Sequence, residues 1–282
     1  MPEEIRVRTP HLSFAARRWG GSGGNPVLAM HGWLDNAATF DAVAPLLSDL
    51  DLVALDMAGH GLSDYRPAGV RYHYLDYVAD AIEVVDALGW ERFSLLGHSL
   101  GAGIASFVAA VAPDRVDKLA LIEGLGPLSA DPDGAPEQLA QSIAQTARLP
   151  KKRVPRYMTF DEAAEARSQA GALNLESARL LTARGAKISD GTVTWRTDPR
   201  LTVKSAFYLS EDQVMAFLGR IRAPTQLIIG ESGYLVPRDY MEARYRKIHD
   251  LRIERVPGRH HLHLDDPAPI ARLLQGFLSA IP

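Results

Sequence analysis

Residues 93–110 read FSLLGHSLGAGIASFVAA, and this stretch decides the fold class. The apolar run FSLL is typical of a buried strand, and the small apolar run AGIASFVAA is typical of a buried helix. The G-x-S-x-G pattern between them predicts a sharp turn that exposes Ser99 at the N-terminus of the helix, where backbone N–H groups favour negative charge. Gly97 and Gly101 are small enough for such a turn. We predict that Ser99 is a nucleophile; the alternative is a glycine turn without chemistry, which the flanking strand and helix disfavour.

The rest of the chain alternates between strand and helix patterns. Apolar runs such as VLAM, LVAL and LALI are typical of strands that are buried on both faces, as in a parallel sheet covered by helices. Helical patterns lie between them, at 75–88, 102–112 and 267–278. The chain therefore predicts a doubly wound α/β sheet that begins with an antiparallel edge hairpin. The strand candidates are residues 5–8, 14–19, 27–31, 52–56, 93–96, 118–123, 226–230 and 252–256.

Residues 125–223 interrupt this alternation. The segment opens with LGPLSADPDGAPEQ, whose Pro, Gly and Asp content predicts a loop, and its stretch around Trp195 shows little pattern. A segment of about 100 residues is too long for a structureless loop. We therefore expect a mostly helical cap inserted into a core formed by residues 1–124 and 224–282. The helical patterns of the cap lie at 138–148, 161–169 and 175–184.

Composition excludes several classes of protein. The chain has 282 residues, a formal net charge of −3 and a pI of about 6.3, which gives no electrostatic case for binding nucleic acid or an anionic membrane. It has no cysteine, which excludes disulfides, cysteine-based zinc sites and a thiol nucleophile. The N-terminal sequence MPEEIRVRTP does not resemble a signal peptide, and no apolar run is long enough to span a bilayer. We expect a cytoplasmic protein; the oligomeric state stays open.

A second motif, His31-Gly32-Trp33, directly follows the apolar run VLAM. Where a G-x-S-x-G turn carries a nucleophile, the loop after the third strand supplies one backbone N–H of the oxyanion hole, and the residue after the nucleophile supplies the other. We therefore predict that the backbone N–H groups of Trp33 and Leu100 stabilise an oxyanion. The alternative is a plain turn with a buried Trp33.

A third motif, PGRHHLHLDDP at residues 257–267, follows the last strand candidate. Its histidines, His260, His261 and His263, compete for the role of general base. A zinc site is a weaker alternative, because the chain has no H-E-x-x-H pattern and no other evident ligand cluster. The sequence therefore predicts neither a metal nor an organic cofactor.

Taken together, these motifs resemble the α/β-hydrolase superfamily and, more narrowly, the serine hydrolase-like proteins. The resemblance covers most of the chain and extends into the predicted cap. It implies a mostly parallel eight-stranded sheet with helices on both faces and an inserted helical cap. The segments that carry it are HGWLDNAATFD (31–41), DMAGHGLSD (56–64), GHSLG (97–101), LLTARGAKISDGTVTWRTDPRL (180–201) and VPGRHHLHLDDP (256–267).

The resemblance also assigns the base. In the superfamily the catalytic histidine often lies five residues before the acidic residue of an acidic-x-Pro sequence. Asp265-Asp266-Pro267 matches that sequence, and the position five residues before Asp265 is His260. Arg259 replaces the glycine that is common just before that histidine. His261 is therefore the second choice, and His263 is expected to pack or to form a local hydrogen bond.

The third member of the expected triad departs from the usual pattern. The superfamily commonly has an aspartate after the seventh strand in a G-x-x-D pattern, but residues 230–233 read GESG. Some relatives keep the acid at the end of the sixth strand instead, where this chain has Glu123. The order Ser99, Glu123, His260 also agrees with the usual chain order of such triads. We predict that Glu123 orients His260 in preference to Glu231 or Asp239; the alternative is that Glu123 only caps a turn.

These residues predict acyl transfer to Ser99 from a small-molecule substrate, followed by hydrolysis. A carboxylic ester is the expected bond, with thioesters, lactones and carbon–carbon bonds as alternatives. A serine at the nucleophile position argues against dehalogenase or epoxide hydrolase chemistry, in which relatives use a carboxylate. A ligand-sensing receptor built on the same scaffold is the rival from another functional class, and a catalytically dead scaffold is disfavoured by the presence of Ser99 and His260.

Overall fold

The computed structural model describes residues 1–21, 23–151, 154–235 and 240–279 and contains the predicted eight-stranded sheet. In chain order the strands are β1 Glu3–Arg8, β2 Ser13–Trp19, β3 Asn25–Met30, β4 Leu50–Leu55, β5 Phe93–His98, β6 Val116–Ile122, β7 Ala186–Ser189, β8 Thr192–Trp195, β9 Thr225–Gly230 and β10 Leu251–Val256. The order of strands in the sheet is β1-β2-β4-β3-β5-β6-β9-β10. The pairs β1–β2 and β2–β4 are antiparallel, and all other pairs in this sheet are parallel. All eight strand candidates are confirmed, and their ends shift by at most two residues.

Helices cover both faces of the sheet, as the continuous apolar strands require. Successive residues of β5 illustrate this: Leu95 packs into the layer that contains α1 and α2, and Leu96 packs into the layer that contains α9. Both side chains are fully buried, and burial of each stabilises the fold by about 1.5–3 kcal/mol. None of the helices in the described part of the chain has the length and apolarity needed to cross a bilayer. The helices are α1 Tyr74–Ala87, α2 Leu100–Val111, α3 Ala135–Arg148, α4 Phe160–Gly171, α5 Leu175–Gly185, α6 Glu211–Leu218, α7 Met241–Lys247, α8 Leu262–Asp265 and α9 Pro267–Leu278.

The segment between β6 and β9 contains the three predicted helices, α3, α4 and α5, and two elements that the sequence analysis missed. The first is the β7–β8 hairpin, which turns at Asp190 and Gly191 with φ values of 52° and 70°. Asp-Gly is a strong signal for a two-residue hairpin turn, so the sequence did contain a signal for this hairpin. The second is α6, which packs against α2 and places Val214 and Leu218 in the apolar layer of the sheet. Outside the segment, α7 (Met241–Lys247) and α8 (Leu262–Asp265) were also missed.

Short polar side chains determine where the helices of this segment begin. The side chain of Thr159 accepts a hydrogen bond from Glu162 N at the start of α4, and Asn174 does the same for α5. Ser210 forms a reciprocal capping box with Gln213 at the start of α6. Each cap pairs backbone N–H groups that have no partner within the helix, which contributes about 1 kcal/mol.

A buried ion pair joins α5 to the sheet. Asp56, directly after β4, is fully buried and accepts hydrogen bonds from the backbone N–H groups of Ala37 and Leu62. Arg184 of α5 donates from Nε to both oxygens of Asp56 at 2.9 and 3.0 Å, and its Nη1 donates to Glu4 of β1 at 2.7 Å. The pair connects residues that lie 128 positions apart in the chain.

We predict that Arg184→Met lowers the free energy of unfolding by about 3–5 kcal/mol, because it leaves the Asp56 carboxylate buried without its countercharge. Urea denaturation measures this loss. The matched control is Arg222→Met, whose exposed pair with Asp114 should contribute less than about 1 kcal/mol. Equal losses in the two variants would show that the Asp56–Arg184 pair has no special role.

Candidate active site

Ser99 lies at the apex of a strained turn between β5 and α2. Its backbone has φ 53° and ψ −115°, a conformation that non-glycine residues rarely adopt. Hydrogen bonds on both sides hold the turn, from Ser99 N to Ile122 O at 2.9 Å and from Gly101 N to His31 O at 3.0 Å. A Cβ atom on Gly101 would lie 2.1 Å from the carbonyl oxygen of Met30, so this position accepts only glycine. The sequence prediction of a sharp glycine-flanked turn is thus confirmed.

The turn brings Ser99 into contact with a histidine and a carboxylate. His260 Nε2 lies 2.9 Å from Ser99 Oγ, and His260 Nδ1 lies 3.2 Å from Glu123 Oε2. The Glu123 side chain is fully buried, whereas a quarter of the His260 side chain is exposed to the cavity. When Nδ1 carries the proton, it donates to Glu123, and Nε2 is left to accept the hydroxyl proton of Ser99.

Glu123 lies directly after β6 with a φ of 53°, and three donors surround its carboxylate. Besides His260, the backbone N–H groups of Gly230 and Tyr234 donate to it. A Cβ atom built on Gly233 would lie only 2.2 Å from Glu123 Oε1. The carboxylate therefore fills the space of a side chain at 233, which explains why the position where the superfamily commonly has its aspartate is a glycine here.

Of the two other acids named from the sequence, Glu231 does not take this position. Glu231 is exposed, and its backbone N–H pairs with Val256 O. Asp239 lies outside the described residues.

Trp33 and Leu100, the residues predicted to supply the oxyanion N–H groups, line the same cavity as Ser99. Leu100 is the first residue of α2, so its N–H has no partner within the helix. Among the described residues, neither backbone N–H donates to another group of the protein. The indole of Trp33 is half exposed to the cavity and donates to Leu201 O at 3.1 Å, so the alternative of a buried tryptophan is wrong.

The remaining histidines of the site have other contacts. His261 Nε2 lies 3.2 Å from Asp35 Oδ2, and His263 Nε2 lies 2.9 Å from Thr39 Oγ1. His98 Nε2–H donates to the carbonyl oxygen of His260 at 2.9 Å. Burial, together with the neighbouring histidines, holds the pKa of His98 well below its usual range, and burial lowers the pKa of His263 to about 3. Both rings are therefore uncharged at neutral pH.

Asp35 connects three parts of the site, and the sequence gives no signal for this role. Its backbone N–H donates to Gly32 O in the turn that contains Trp33. Its carboxylate pairs with Arg167 of α4 and with His261, the neighbour of His260. Burial opposes ionisation of Asp35, but Arg167 and His261 outweigh it and hold its pKa well below the usual range. The partner Arg167 lies 132 residues away in the chain.

A cavity of about 1590 Å³ opens above Ser99, between the sheet and the segment 125–223. Ser99, His260 and Glu123 lie at its base. Such a volume exceeds that of common small-molecule sites, which range from about 300 to 1000 Å³. Aromatic side chains contribute much of the lining, among them Trp33, Tyr74, Trp195, Phe207, Tyr208 and Tyr234.

We predict that Gly233→Ala lowers kcat by at least about tenfold, because the new methyl group must displace the Glu123 carboxylate from His260. Steady-state hydrolysis of a chromogenic ester measures this. Gly276→Ala is the matched control, since a Cβ atom there meets no other group within 4 Å. Full activity of Gly233→Ala would mean that the carboxylate need not keep this position.

Comparisons with known proteins agree with this architecture. The model of a family described as alpha/beta hydrolase fold matches residues 25–267. A serine hydrolase-like protein of Danio rerio is 32% identical over 98% of this chain and 88% of its own length. Serine hydrolase-like protein 2 of Homo sapiens is 31% identical over 98% of this chain and 93% of its own.

Two solved structures are similar over nearly the whole chain. The hypothetical protein PA1622 from Pseudomonas aeruginosa is 41% identical with a TM-score of 0.95, covering 99% of this chain and 100% of its own. The thioesterase domain from the curacin biosynthetic pathway is 26% identical with a TM-score of 0.87, covering 97% and 99%.

Proposed function

The chain belongs to the α/β-hydrolase fold family and, within it, to the serine hydrolase-like proteins, and on that premise we propose that it is a carboxylesterase that uses Ser99, His260 and Glu123 as a catalytic triad. Hydrolase activity follows from the family. The observation that carries the finer proposal is the unbroken chain of hydrogen-bond contacts from Ser99 Oγ through both ring nitrogens of His260 to Glu123.

In the proposed mechanism His260 Nε2 takes the proton of Ser99 Oγ as the oxygen attacks the carbonyl carbon of the ester. The tetrahedral intermediate collapses when His260 gives that proton to the departing alcohol. A water molecule, deprotonated by the same nitrogen, then attacks the acyl group on Ser99 and releases the acid. The reaction needs no metal and no organic cofactor.

Glu123 has an electrostatic task in this scheme. His260 becomes a cation when it holds the serine proton, and a buried carboxylate on its other nitrogen stabilises that cation and keeps the correct tautomer. The two backbone donors at Gly230 and Tyr234 support this role, because they hold the carboxylate in one orientation.

We assign the oxyanion hole to the backbone N–H groups of Trp33 and Leu100. Both lie beside Ser99 and lack another acceptor among the described residues. Backbone donors that are fixed before the reaction stabilise the developing negative charge without reorganisation, and each is worth about 3–4 kcal/mol in a comparable site.

We further propose that residues 125–223 act as a cap domain that sets substrate preference, over a core formed by residues 1–124 and 224–282. The large cavity between the two parts suits an acyl or alcohol group of considerable size. A thioester is the second candidate substrate class, supported by the likeness to the curacin thioesterase domain. Kinetics on a matched ester and thioester of one acyl group would decide between them, whereas tight ligand retention without turnover would favour a receptor.

We predict that a fluorophosphonate probe attaches once to the protein and that peptide mass spectrometry locates the label on Ser99. The Ser99→Ala variant should stay unlabelled and lose essentially all esterase activity, since no other hydroxyl contacts His260 Nε2 in the described residues. Full labelling of a folded Ser99→Ala protein would contradict the assignment of the nucleophile.

We also predict that Glu123→Gln lowers kcat by at least about 10²-fold, because an uncharged amide cannot stabilise the protonated histidine. Glu231→Gln is the matched control and should retain activity within about threefold, since its exposed side chain takes no part in the scheme. Melting temperatures of both variants should match the parent. A fully active Glu123→Gln enzyme would reduce the triad to a Ser99–His260 dyad.

A further inference from the structure

Three ligand-type side chains converge beside the triad. Asp35, His98 and His261 are all buried, and each lines the wall of the cavity. Asp35 Oδ2 lies 3.2 Å from His261 Nε2 and 3.8 Å from His98 Nδ1. The three ligand atoms all lie within 4.8 Å of one another. None of them takes part in the proposed proton transfer.

No hydrogen lies between Asp35 Oδ2 and His98 Nδ1 when the His98 ring is neutral and carries its hydrogen on Nε2. His98 Nε2–H donates to the carbonyl oxygen of His260, so the neutral ring has only a lone pair on Nδ1. That lone pair faces the Asp35 carboxylate, and Nδ1 has no hydrogen-bond partner although it is buried. Two electron-pair donors thus face each other in a buried place, where an unpaired polar atom is costly. A cation bound between them would satisfy both.

From this arrangement we propose that Asp35 Oδ2, His98 Nδ1 and His261 Nε2 form a binding site for a divalent transition-metal ion of the Zn²⁺ class, and that occupation of this site inhibits the hydrolase. Two imidazoles and one carboxylate are a common ligand set for such ions. With three protein ligands, a fourth position stays open toward the cavity.

His261 presents Nε2 to the same carboxylate. This nitrogen lies 3.2 Å from Asp35 Oδ2, and Nδ1 of the ring has no partner among the described residues. In the tautomer that carries its hydrogen on Nδ1, Nε2 offers a lone pair, and either ring nitrogen of a neutral imidazole can bind a metal. In that tautomer the ring exchanges its hydrogen bond to Asp35 for a metal bond.

Gly32 keeps the space near these ligand atoms open. A Cβ atom at this position would lie 3.0 Å from Asp35 Oδ2 and 3.1 Å from His98 Nδ1. Zinc lies about 2.0–2.2 Å from nitrogen and oxygen ligands, so the three atoms must approach one another slightly around the ion. Small rotations of the His261 and Asp35 side chains suffice for atoms that begin this close.

Inhibition follows from the position of the ligands in the chain. His98 precedes Ser99, and His261 follows His260. Asp35 belongs to the turn that contains Trp33. Drawing the ligands toward one ion shifts the nucleophile, the base and an oxyanion donor at once, and misplacement by about 1 Å can cost about 10²-fold in rate.

Arg167 opposes metal binding. Its guanidinium pairs with the other oxygen of the same carboxylate and places a positive charge close to the site. The metal and the arginine therefore compete electrostatically for Asp35. Removal of that charge should strengthen metal binding, a result that a merely structural role of the cluster would not produce.

Titration of the chelator-treated full-length protein with Co²⁺, followed by visible absorption, tests the site directly. We expect one Co²⁺ per chain with the intense bands of a four-coordinate ion. Asp35→Asn and His261→Gln should each weaken binding by at least about tenfold, and Arg167→Met should tighten it by about threefold or more. His249→Gln, which removes an exposed histidine, is the matched control and should bind like the parent.

Unchanged Co²⁺ affinity in folded Asp35→Asn and His261→Gln variants would overturn the proposal. So would loss of the bands in His260→Gln with retention in His261→Gln, which would place the ion on the proposed triad. Circular dichroism checks that each variant folds. If His261→Gln fails to fold, His261→Asn takes its place.

The inhibitory half rests on the proposed function: Zn²⁺ should stop ester hydrolysis reversibly, with EDTA restoring the rate. Uninhibited hydrolysis by metal-loaded enzyme would overturn that half. A protein without esterase activity would instead refute the proposed function. The Co²⁺ titration would still test the metal site, because it does not depend on hydrolysis.

Discussion

The site depends on a single backbone constraint, the strained turn at Ser99. A non-glycine residue with positive φ is unfavourable by about 1–3 kcal/mol and persists only where the surrounding structure imposes it. Here the strand before it is buried throughout, and the helix after it is buried from Gly101 to Ala110. Gly101 allows α2 to approach β3 closely enough to hydrogen-bond His31 O. The strain lifts the Ser99 side chain out of the sheet edge, where groups from other loops can reach it. Every other part of the site is arranged around this fixed point.

A steric conflict explains why the proposed triad has its acid at position 123 and a glycine at position 233. The Glu123 carboxylate and a side chain at position 233 cannot occupy the same space, because a Cβ atom there would lie 2.2 Å from Oε1. The glutamate at the end of β6 therefore requires a glycine at position 233 after β9. The left-handed backbone at Glu123, with φ 53°, turns the longer side chain back toward His260.

Ion pairs connect the segment 125–223 to the rest of the described chain, and two of them involve a buried carboxylate. Arg184 pairs with Asp56, the residue directly after β4, and Arg167 pairs with Asp35 beside the site. Both carboxylates are buried and both arginines come from helices of the inserted segment. The second pair is the more consequential for chemistry, because Asp35 also contacts His261 and belongs to the turn that contains Trp33. The Asp35 carboxylate thus connects α4 to the turn that contains Trp33.

Features that depend on local residue pattern could be predicted from the sequence alone. Apolar runs, alternating in the edge hairpin and continuous in several inner strands, identified all eight strands of the sheet, and small residues around Ser99 predicted its turn. Burial and backbone conformation restrict which residues a segment can contain, so both can be inferred from local sequence. The missed β7–β8 hairpin had such a trace in Asp190-Gly191. By contrast, α6 and α7 are short, and their patterns were too brief to separate from loops.

Which distant groups meet depends on how the folded chain packs. Three histidines lie within four residues at 260–263, and their contacts differ because the chain turns there: His260 reaches Ser99, His261 reaches Asp35 and His263 reaches Thr39. The resemblance to known proteins indicated His260, but no spacing rule could distinguish the three by contact. The pairing of Asp35 with Arg167 across 132 residues has no sequence signal at all, because an ion pair depends on where two helices and loops are packed and not on the residues that flank either partner.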